Sequence, residues 1–510
     1  MKTHKFSLGL RFDIMADEEG QITPGQLWEE IFSVLTIDDA KGLQLYGGME
    51  ETGGSSSEPC YLCMFTNGSL RQMRNIYRKL EGDAGINMYI AATRPYLQTN
   101  ALERAEGLTY FGRVQGDGCL LGGDEPFFDV HLCKRHGKRR PVGKGIVFLL
   151  APGAFFNTLT SRQAIRRLTL SARKQFPGVR VHPMPITDGG PGTVDAILAA
   201  ANGTGRLVQI QGPQGAKRDA RYAVLRGNTA LIEMPDCFSP AGAQGEGLCS
   251  SFGIGELIRR ALDEGLEKII IGLPDSCIND GGLGCLRALG VKLLDAEGAE
   301  LVSQTDTKGL AKIDTELLHP RVRNTRFVLM TDCETPLDAA SLYGPLRENY
   351  RGILQEAAAF DPALREGAGA AGGLGAALMA ILGAERKPAV DALLDAAEFD
   401  RRLRSVSLVV TGEGRIDRTS LRSGSAVGEI LKRASRQRVP VAVIAGHIGD
   451  GGEALLERRD CSIMIVADAF DTSEMEVLVE RFDSAAERMF RFIRLGREIE
   501  RVSARKSKMK

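Results

Sequence analysis

Residues 405–417 read SVSLVVTGEGRID, and this stretch decides the fold. It begins as a mainly apolar run, of the kind that is buried in a parallel sheet. The run leads into a loop of glycines and charges that holds Glu413, Arg415 and Asp417. Ligands of open α/β sheets bind beyond the carboxyl ends of the strands, so this loop is a candidate site for Mg²⁺-phosphate or a hydroxyl group. A solvated surface loop is the alternative.

The same succession of apolar strand, polar loop and helix recurs from about residue 145 onwards. Further apolar runs are IVFLLA, VRVHPMPI, KIIIGL, RFVLMT and VPVAVIA, each near a helical stretch. Strands that alternate with helices are typical of parallel α/β layers. We therefore predict an α/β fold with parallel sheets over residues 145–470, followed by a helix and a basic tail over residues 471–510.

Composition and charge exclude several classes of protein. The chain has 65 basic and 65 acidic residues among 510, so no overall field attracts nucleic acid or an anionic membrane. No apolar run approaches the roughly 20 residues of a transmembrane helix. Ten scattered cysteines are typical of a reducing compartment, and we expect a cytoplasmic protein. Glycine, with 60 of 510 residues, exceeds the usual share of about 7%, so the positions of the glycines matter.

Residues 1–140 differ in character and end in a basic run. The predicted order strand, helix, strand, strand, helix, strand favours a small α+β unit of ferredoxin-like topology. Cys60, Cys63, Cys133 and His136 have the residue types of a zinc site. A strand through CYLCMF would turn the first two sulfurs to opposite faces, which argues against zinc. We predict an additional domain here, and it is a candidate module for binding a protein partner.

Two loops in the α/β region share one pattern. Residues 186–198 read ITDGGPGTVDAIL, and residues 278–290 read INDGGLGCLRALG. Their glycines let backbone N–H groups approach an anion at the start of the following helix. Asp188 stands at a strand end, where it can hold Mg²⁺ or accept a hydroxyl proton, and Asp280 is its counterpart. A tight turn that requires positive φ is the alternative.

Two more segments carry candidate ligand residues. Residues 367–383, GAGAAGGLGAALMAILG, contain G-x-G-x-x-G, but a predicted helix end precedes them where a dinucleotide fingerprint needs a strand. We favour a phosphate or carboxylate loop at the start of the next helix. Residues 330–337, MTDCETPL, place Asp332 at another strand end. The sequence contains no P-loop, H-E-x-x-H or G-x-S-x-G motif.

The segments together resemble the glycerate kinase family, which forms 2-phosphoglycerate, over residues 146–470. The family's ADGGEGT is similar to TDGGPGT at 187–193, and its CDVDNPL is similar to TDCETPL at 331–337. Its GAGAAGGLGAAL is identical at 367–378, and TGEGRxD is kept at 411–417. The motifs occur in the family's order.

The resemblance implies a two-domain α/β fold, with one subdomain inserted in the other and the active site in the cleft between them. It implies ATP-dependent, Mg²⁺-assisted phosphoryl transfer to a hydroxyl of glycerate or a similar small hydroxy acid. It assigns catalysis to Asp188, Asp280 and Glu413, and metal binding to Asp332. Binding of substrate or phosphate is assigned to Gly189, Gly190, Gly192, Thr193, Asn279, Gly281, Gly282, Gly369, Gly372, Gly373, Arg415 and Asp417. A homo-oligomer is left open.

Several family positions carry other residues in this chain. The family's Asp and Lys in APDSFKG are Gly153 and Phe156, and the Glu of ADGGEGT is Pro191. Gly424 stands where the family usually has a lysine. Because phosphoryl transfer depends on cations that neutralise phosphate charge, their loss affects catalysis directly.

Two hypotheses follow from these replacements. One is an active kinase with altered site chemistry, acting on glycerate or another hydroxy acid. The other is a degenerate, catalytically weak member that binds a ligand or regulates a partner. The candidate replacement cations are Arg347, Arg415 and Arg422, and Arg415 is the expected partner of the glycerate carboxylate.

Overall fold

The fold is that of a computed structural model of the 510-residue chain. The structure describes residues 145–507 except 157, 241–246, 303–308, 341, 343–345, 347–348, 359, 423 and 467–474. Before residue 145 it describes six strands and residues 31, 43, 76, 77 and 80. None of the described helices is long and apolar enough to cross a membrane.

The N-terminal strands form one antiparallel sheet in the order β4-β1-β3-β2-β5-β6. They are Phe6–Ile14 (β1), Gln44–Met49 (β2), Cys60–Thr66 (β3), Ile90–Thr99 (β4), Thr109–Val114 (β5) and Leu120–Leu121 (β6). The ferredoxin-like unit stays a prediction, because most residues of its expected helices lie outside the described residues. Cys133 and His136 also lie outside them.

A five-stranded parallel sheet carries one side of the site. Its strands are Val147–Pro152 (β7), Arg180–Pro183 (β8), Leu408–Ile416 (β17), Val441–Ile448 (β18) and Cys461–Ile465 (β19). The order is β19-β18-β17-β7-β8, which makes β7 and β17 neighbours although some 260 residues separate them. The parallel strands predicted here are confirmed.

A mixed six-stranded sheet forms the other side, in the order β16-β15-β12-β11-β10-β9. Its strands are Gly203–Gln211 (β9), Lys217–Leu225 (β10), Thr229–Ile232 (β11), Lys268–Gly272 (β12), Arg326–Met330 (β15) and Glu385–Lys387 (β16). The pairs from β11 to β16 are parallel, whereas β9, β10 and β11 pair antiparallel, which the sequence did not reveal. A hairpin of Lys292–Leu294 (β13) and Lys312–Asp314 (β14) stands apart.

The described helices lie between these strands in the chain or follow them. They are Ser161–Gln175 (α1), Thr193–Ala200 (α2), Phe252–Asp263 (α3), Leu283–Ala288 (α4), Tyr350–Ala357 (α5), Leu374–Leu382 (α6), Ala389–Ala396 (α7), Phe399–Leu403 (α8), Ala426–Arg436 (α9) and Met475–Ser507 (α10). The chain leaves the parallel sheet after β8, builds the mixed sheet and returns at β17. We propose that the mixed-sheet part is the inserted subdomain.

Strand β7 shows why the parallel sheet needs apolar runs. Val147 and Leu149 belong to a core cluster that also holds residues of the mixed sheet. Phe148 and Leu150 belong to a second cluster, which includes the first half of α10. The Phe148 ring stacks on Phe490 of that helix, with centroids 5.6 Å apart. Because both faces of the strand are buried, every side chain along it is apolar.

Strand β17 corrects one expectation. The sequence predicts a loop from residue 411, but the strand continues to Ile416. The reason is that β17 pairs with β18 as far as Ile416, whereas its pairing with β7 ends at Gly412. In this longer pairing Glu413 lies opposite Ala445. Gly412 permits this, because a Cβ atom there would lie 1.8 Å from the carbonyl oxygen of Ile444. Glu413 therefore sits on a strand rather than on a loop.

Candidate active site

A cavity of about 600 Å³ opens at the carboxyl ends of β7 and β17. Asp188, Asp332 and Glu413 all line it, which brings together three carboxylates that the sequence singles out. They arrive from the loop after β8, the end of β15 and the end of β17. We call this space the strand-end cavity. It draws acidic groups from both sheets, as the strand-end rule predicts.

Glu413 is the half-buried carboxylate of the cavity. Its Oε1 is buried, and within the described part of the chain it has no hydrogen-bond partner. Burial raises the pKa of this carboxyl group, and the charge of Asp417 adds to the effect, while a hydrogen bond from Ser420 opposes it. A buried carboxylate with a raised pKa and an unused oxygen is suited to accept a proton.

Asp188 is an exposed carboxylate at the cavity, and its loop holds it in place. Its Oδ1 accepts a hydrogen bond from the Gly190 N–H at 3.0 Å. Gly189 has φ of +100°, and a Cβ atom there would lie 2.6 Å from the Cα of Gly272. Thr193 donates its hydroxyl to the Gly190 carbonyl at 2.7 Å and is buried. The first glycine and Thr193 therefore build the turn that presents Asp188.

Asp332 links the end of β15 to the start of α7 at the cavity. It follows β15 of the mixed sheet, and its Oδ1 accepts a hydrogen bond from the Ala389 N–H at 2.9 Å, at the start of α7. The side chain is exposed. The carboxylate therefore caps a helix with one oxygen and lines the cavity.

Asp280 lies elsewhere, in a buried position that does not line the strand-end cavity. Its carboxylate accepts hydrogen bonds from the N–H groups of Ser251, Gly282 and Gly284 at 2.7–3.0 Å, and from the Ser251 hydroxyl at 3.0 Å. Asn279 beside it accepts from the Cys249 N–H at 2.8 Å. These contacts tie residues 247–252 to the start of α4. The catalytic role of Asp280 stays a prediction, and the contacts that the structure shows for it are structural.

The glycines of the two remaining loops pack against each other. The Gly281 N–H donates to the Gly372 carbonyl at 3.1 Å, and a Cβ atom at Gly372 would lie 1.9 Å from the carbonyl oxygen of Ile278. A Cβ atom at Gly369 would lie 2.7 Å from the Pro336 carbonyl oxygen. Seven glycines predicted to bind substrate or phosphate do not line the cavity, and close backbone packing accounts for several of them: Gly189, Gly190, Gly281, Gly282, Gly369, Gly372 and Gly373.

Arg415 and Asp417 pair with each other and stay outside the cavity lining. The Arg415 Nε lies 3.2 Å from the Asp417 carboxylate, and the arginine side chain is 56% exposed. Asp417 accepts hydrogen bonds from the N–H and hydroxyl of Thr419, which lower its pKa. This turn carries Thr419 and Ser420 to the cavity wall, two lining residues that the sequence did not reveal.

A sequence profile of the glycerate kinase family matches residues 148–494. The chain belongs to the glycerate kinase family. The glycerate kinase of Halalkalibacterium halodurans is 35% identical over 334 residues, which are 61% of this chain and 87% of that protein. Glycerate 2-kinase of Escherichia coli is 34% identical over 326 residues, 59% of this chain and 85% of that protein.

A solved structure agrees with the family membership. A Salmonella typhimurium protein assigned as glycerate kinase 2 superposes with a TM-score of 0.56 at 28% identity, covering 70% of this chain and 99% of that one. The glycerate kinase-like fold predicted from the motifs is confirmed. The alternative of an inactive regulatory protein finds no support among these relatives.

The replaced family positions now have a place in the fold. Gly153, Pro191 and Gly424 line the strand-end cavity without offering a charged group. Phe156 does not line it, and its ring stacks on His447 with centroids 5.9 Å apart. Arg422 is exposed outside the lining. Arg347 lies outside the described residues.

Four helices begin at the cavity wall. Thr160 (α1), Gly192 (α2) and Ser425 (α9) are the N-cap residues of three of them, and Val390 lies in the first turn of α7. A helix N-terminus carries a partial positive charge, so four such ends converge on one space. This arrangement attracts anions without a lysine.

Carboxylates already compensate two of the four helix ends. Glu233 accepts a hydrogen bond from the Val194 N–H of α2 at 2.8 Å, and Asp332 accepts from the Ala389 N–H of α7. The starts of α1 and α9 are capped by the neutral hydroxyls of Thr160 and Ser425, and Glu429 in the first turn of α9 is ion-paired with Arg433 at 3.2 Å. These two ends are therefore the ones that favour a bound anion.

The donor set of the cavity fits Mg²⁺. Among the described residues, no three side chains of His, Cys, Asp or Glu form a complete metal site. Mg²⁺ at phosphoryl-transfer sites keeps several waters and takes only one or two carboxylates, the rest coming from the phosphates. Asp188 and Asp332 offer such oxygens, and Glu413 lines the same cavity.

Proposed function

We propose that the protein transfers the γ-phosphoryl group of ATP to the 2-hydroxyl of glycerate. Family membership supports the reaction, and the strand-end cavity supports its location. Its volume of about 600 Å³ lies within the usual range for small-molecule sites. The single observation that carries the assignment is the convergence of Asp188, Asp332 and Glu413 on this cavity.

In this proposal Glu413 accepts the proton of the glycerate hydroxyl. The hydroxyl oxygen forms a bond to the γ-phosphorus while the bond from that phosphorus to the bridging oxygen of ADP breaks. The raised pKa of the Glu413 carboxyl makes it a stronger base than an exposed glutamate. Glu413 lines the cavity, so its carboxyl group lies beside the space in which the hydroxyl would bind.

Asp188 and Asp332 hold the metal, and the starts of α1 and α9 face the phosphates. Mg²⁺ supplies neutralisation of the charge on the transferred group. Asp188 is oriented by the Gly190 N–H, and Asp332 by the Ala389 N–H. Each carboxylate is thereby held in place before substrate binds, which lowers the cost of reorganisation during transfer.

The test is an assay of the purified full chain with ATP, MgCl₂ and D-glycerate. ADP release measures turnover, and addition of enolase alone reports 2-phosphoglycerate directly, whereas 3-phosphoglycerate requires a mutase as well. Omission of glycerate controls for ATP hydrolysis. D-Lactate, which keeps the 2-hydroxyl in the same configuration but lacks the 3-hydroxyl, tests whether another hydroxy acid serves.

We expect glycerate-dependent ADP release with an enolase-competent product. Asp188→Asn is expected to lower kcat/KM, and Asp450→Asn, at an exposed aspartate outside the cavity lining, is the matched control. A wild-type protein without glycerate-dependent turnover would overturn the proposed function. A product that enolase accepts only with the mutase would overturn the assignment of the 2-hydroxyl.

A further inference from the structure

The strand-end cavity contains one basic side chain among its described lining residues, that of Arg162. Four acidic residues line the same space. One of them, Asp195, is engaged by Arg221 in a two-point ion pair with N–O distances of 3.0 and 3.1 Å. The carboxylates Asp188, Asp332 and Glu413 repel anionic substrates, so a single guanidinium group has a large share in the local charge balance.

Hydrogen bonds hold the start of α1, where Arg162 lies, in a fixed position. This residue lies in the first turn of α1, directly after Thr160, whose side chain forms a capping box with Gln163. The Ser161 hydroxyl donates to the Pro152 carbonyl at 2.6 Å and accepts from the Ile186 N–H at 2.9 Å. These bonds fasten the start of α1 to the end of β7 and to the loop that carries Asp188.

The helix dipole works against a cation at this position. A positive charge in the first turn is disfavoured by the helix dipole, and α1 has no acidic residue there to offset it. Other basic residues of α1 pair with α10, since Arg167 contacts Asp483 and Lys174 contacts Glu487 at 2.7 and 2.8 Å. Arg162, in the first turn, lines the strand-end cavity.

We propose that Arg162 binds an oxyanion of the substrates, either the carboxylate of the hydroxy acid or the terminal phosphate of the nucleotide. This inference rests on the proposed function. A planar guanidinium group matches both oxyanions through paired N–H donors. Arg162 is then a binding residue, and the charge that orients the substrate comes from α1.

The test compares Arg162→Ala and Arg162→Lys with wild type, and Arg259→Gln, at an exposed residue of α3 outside the cavity lining, is the matched control. We expect Arg162→Ala to raise one KM at least tenfold, Arg162→Lys to raise it less, and millimolar guanidinium chloride to restore part of the activity of Arg162→Ala. A raised KM for glycerate identifies the carboxylate, and a raised KM for ATP identifies the phosphate. Kinetic constants of Arg162→Ala within twofold of wild type would overturn the proposal.

A binding measurement separates this inference from the proposed function. If wild type does not turn over glycerate, its Tm is measured with D-glycerate and with inorganic pyrophosphate, and the same is done for the variants. A rise of Tm in wild type and Arg259→Gln that is lost in Arg162→Ala supports the oxyanion site. An equal rise in Arg162→Ala, or no rise in wild type, overturns it. If Arg162→Ala fails to fold, Arg162→Lys and Arg162→Gln carry the same comparison.

Discussion

Replacing Glu413 by glutamine tests the central chemical role in the site. The substitution keeps the shape of the side chain but removes its ability to accept a proton. A positioned general base contributes roughly 10²- to 10⁴-fold to a rate, so kcat of Glu413→Gln is expected to fall by that factor. The wild-type kcat is expected to rise with pH through the raised pKa of Glu413, because only the ionised carboxylate accepts a proton.

The same substitution has the opposite effect on stability. Burial raises the pKa of Glu413 above its usual 4.5, so the folded state favours the protonated carboxyl group. The stabilisation from protonation is complete below pH of about 4.5 and is lost as pH rises through the folded-state pKa. Glutamine is neutral at every pH, so at pH 8 the Tm of Glu413→Gln is expected to equal or exceed that of wild type. The two values should converge near pH 4.5.

The assay is ADP release with saturating ATP, Mg²⁺ and glycerate, together with thermal unfolding at pH 4.5 and pH 8. Glu457→Gln is the matched control, because Glu457 is exposed and does not line the cavity. A Glu413→Gln variant that keeps more than a tenth of the wild-type kcat refutes the role of general base. A loss of activity that comes with a clearly lower Tm at pH 8 indicates a structural role instead.

Three further predictions concern neighbouring parts of the site. Asp280→Ala leaves three buried N–H groups without their acceptor, so the free energy of unfolding is expected to fall by at least about 3 kcal/mol. Denaturant titration measures this change, and an unchanged midpoint contradicts the packing role. Gly372→Ala brings a Cβ atom to 1.9 Å from the Ile278 carbonyl oxygen at φ of +58° and is expected to cost about 1 to 3 kcal/mol by the same measurement. Removal of Mg²⁺ with EDTA is expected to abolish turnover. Asp188→Asn and Asp332→Asn should each raise the Mg²⁺ concentration at which the rate is half-maximal. If this concentration is unchanged in both variants, the two residues are excluded as metal ligands.

Much of the fold can be predicted from local sequence because burial on both faces leaves a clear pattern. Strand β7 is such a case, since Val147 and Phe148 serve different cores and must both be apolar. The extension of β17 through Glu413 could not be predicted in this way. It depends on pairing with β18 beyond the end of β7, and the residues involved are the glycines and charges of a typical loop.

The residues of the candidate site also divide into those that the sequence predicts and those that it does not. Asp188, Asp332 and Glu413 follow from one rule, because the carboxyl ends of parallel strands meet at one edge. The role of Gly372 could not be settled from the sequence, since a loop that needs close backbone contact has the same composition as a loop that cradles phosphate. Arg162 gave no local signal, because its importance depends on where α1 docks and not on its neighbours in the sequence.

The relative position of the two sheets is what holds the site together. Asp332 reaches the cavity as the cap of α7, and α9 begins at the cavity with Ser425. The buried guanidinium of Arg433 on α9 joins these helices, since it contacts Asp395 of α7 at 2.8 Å and Glu429 of its own helix at 3.2 Å. Breaking one partner of a buried ion pair leaves an uncompensated charge, so the network resists separation of α7 from α9. An ion-pair network outside the cavity therefore holds the helix that Asp332 caps beside the helix that begins at Ser425, although neither residue belongs to the network.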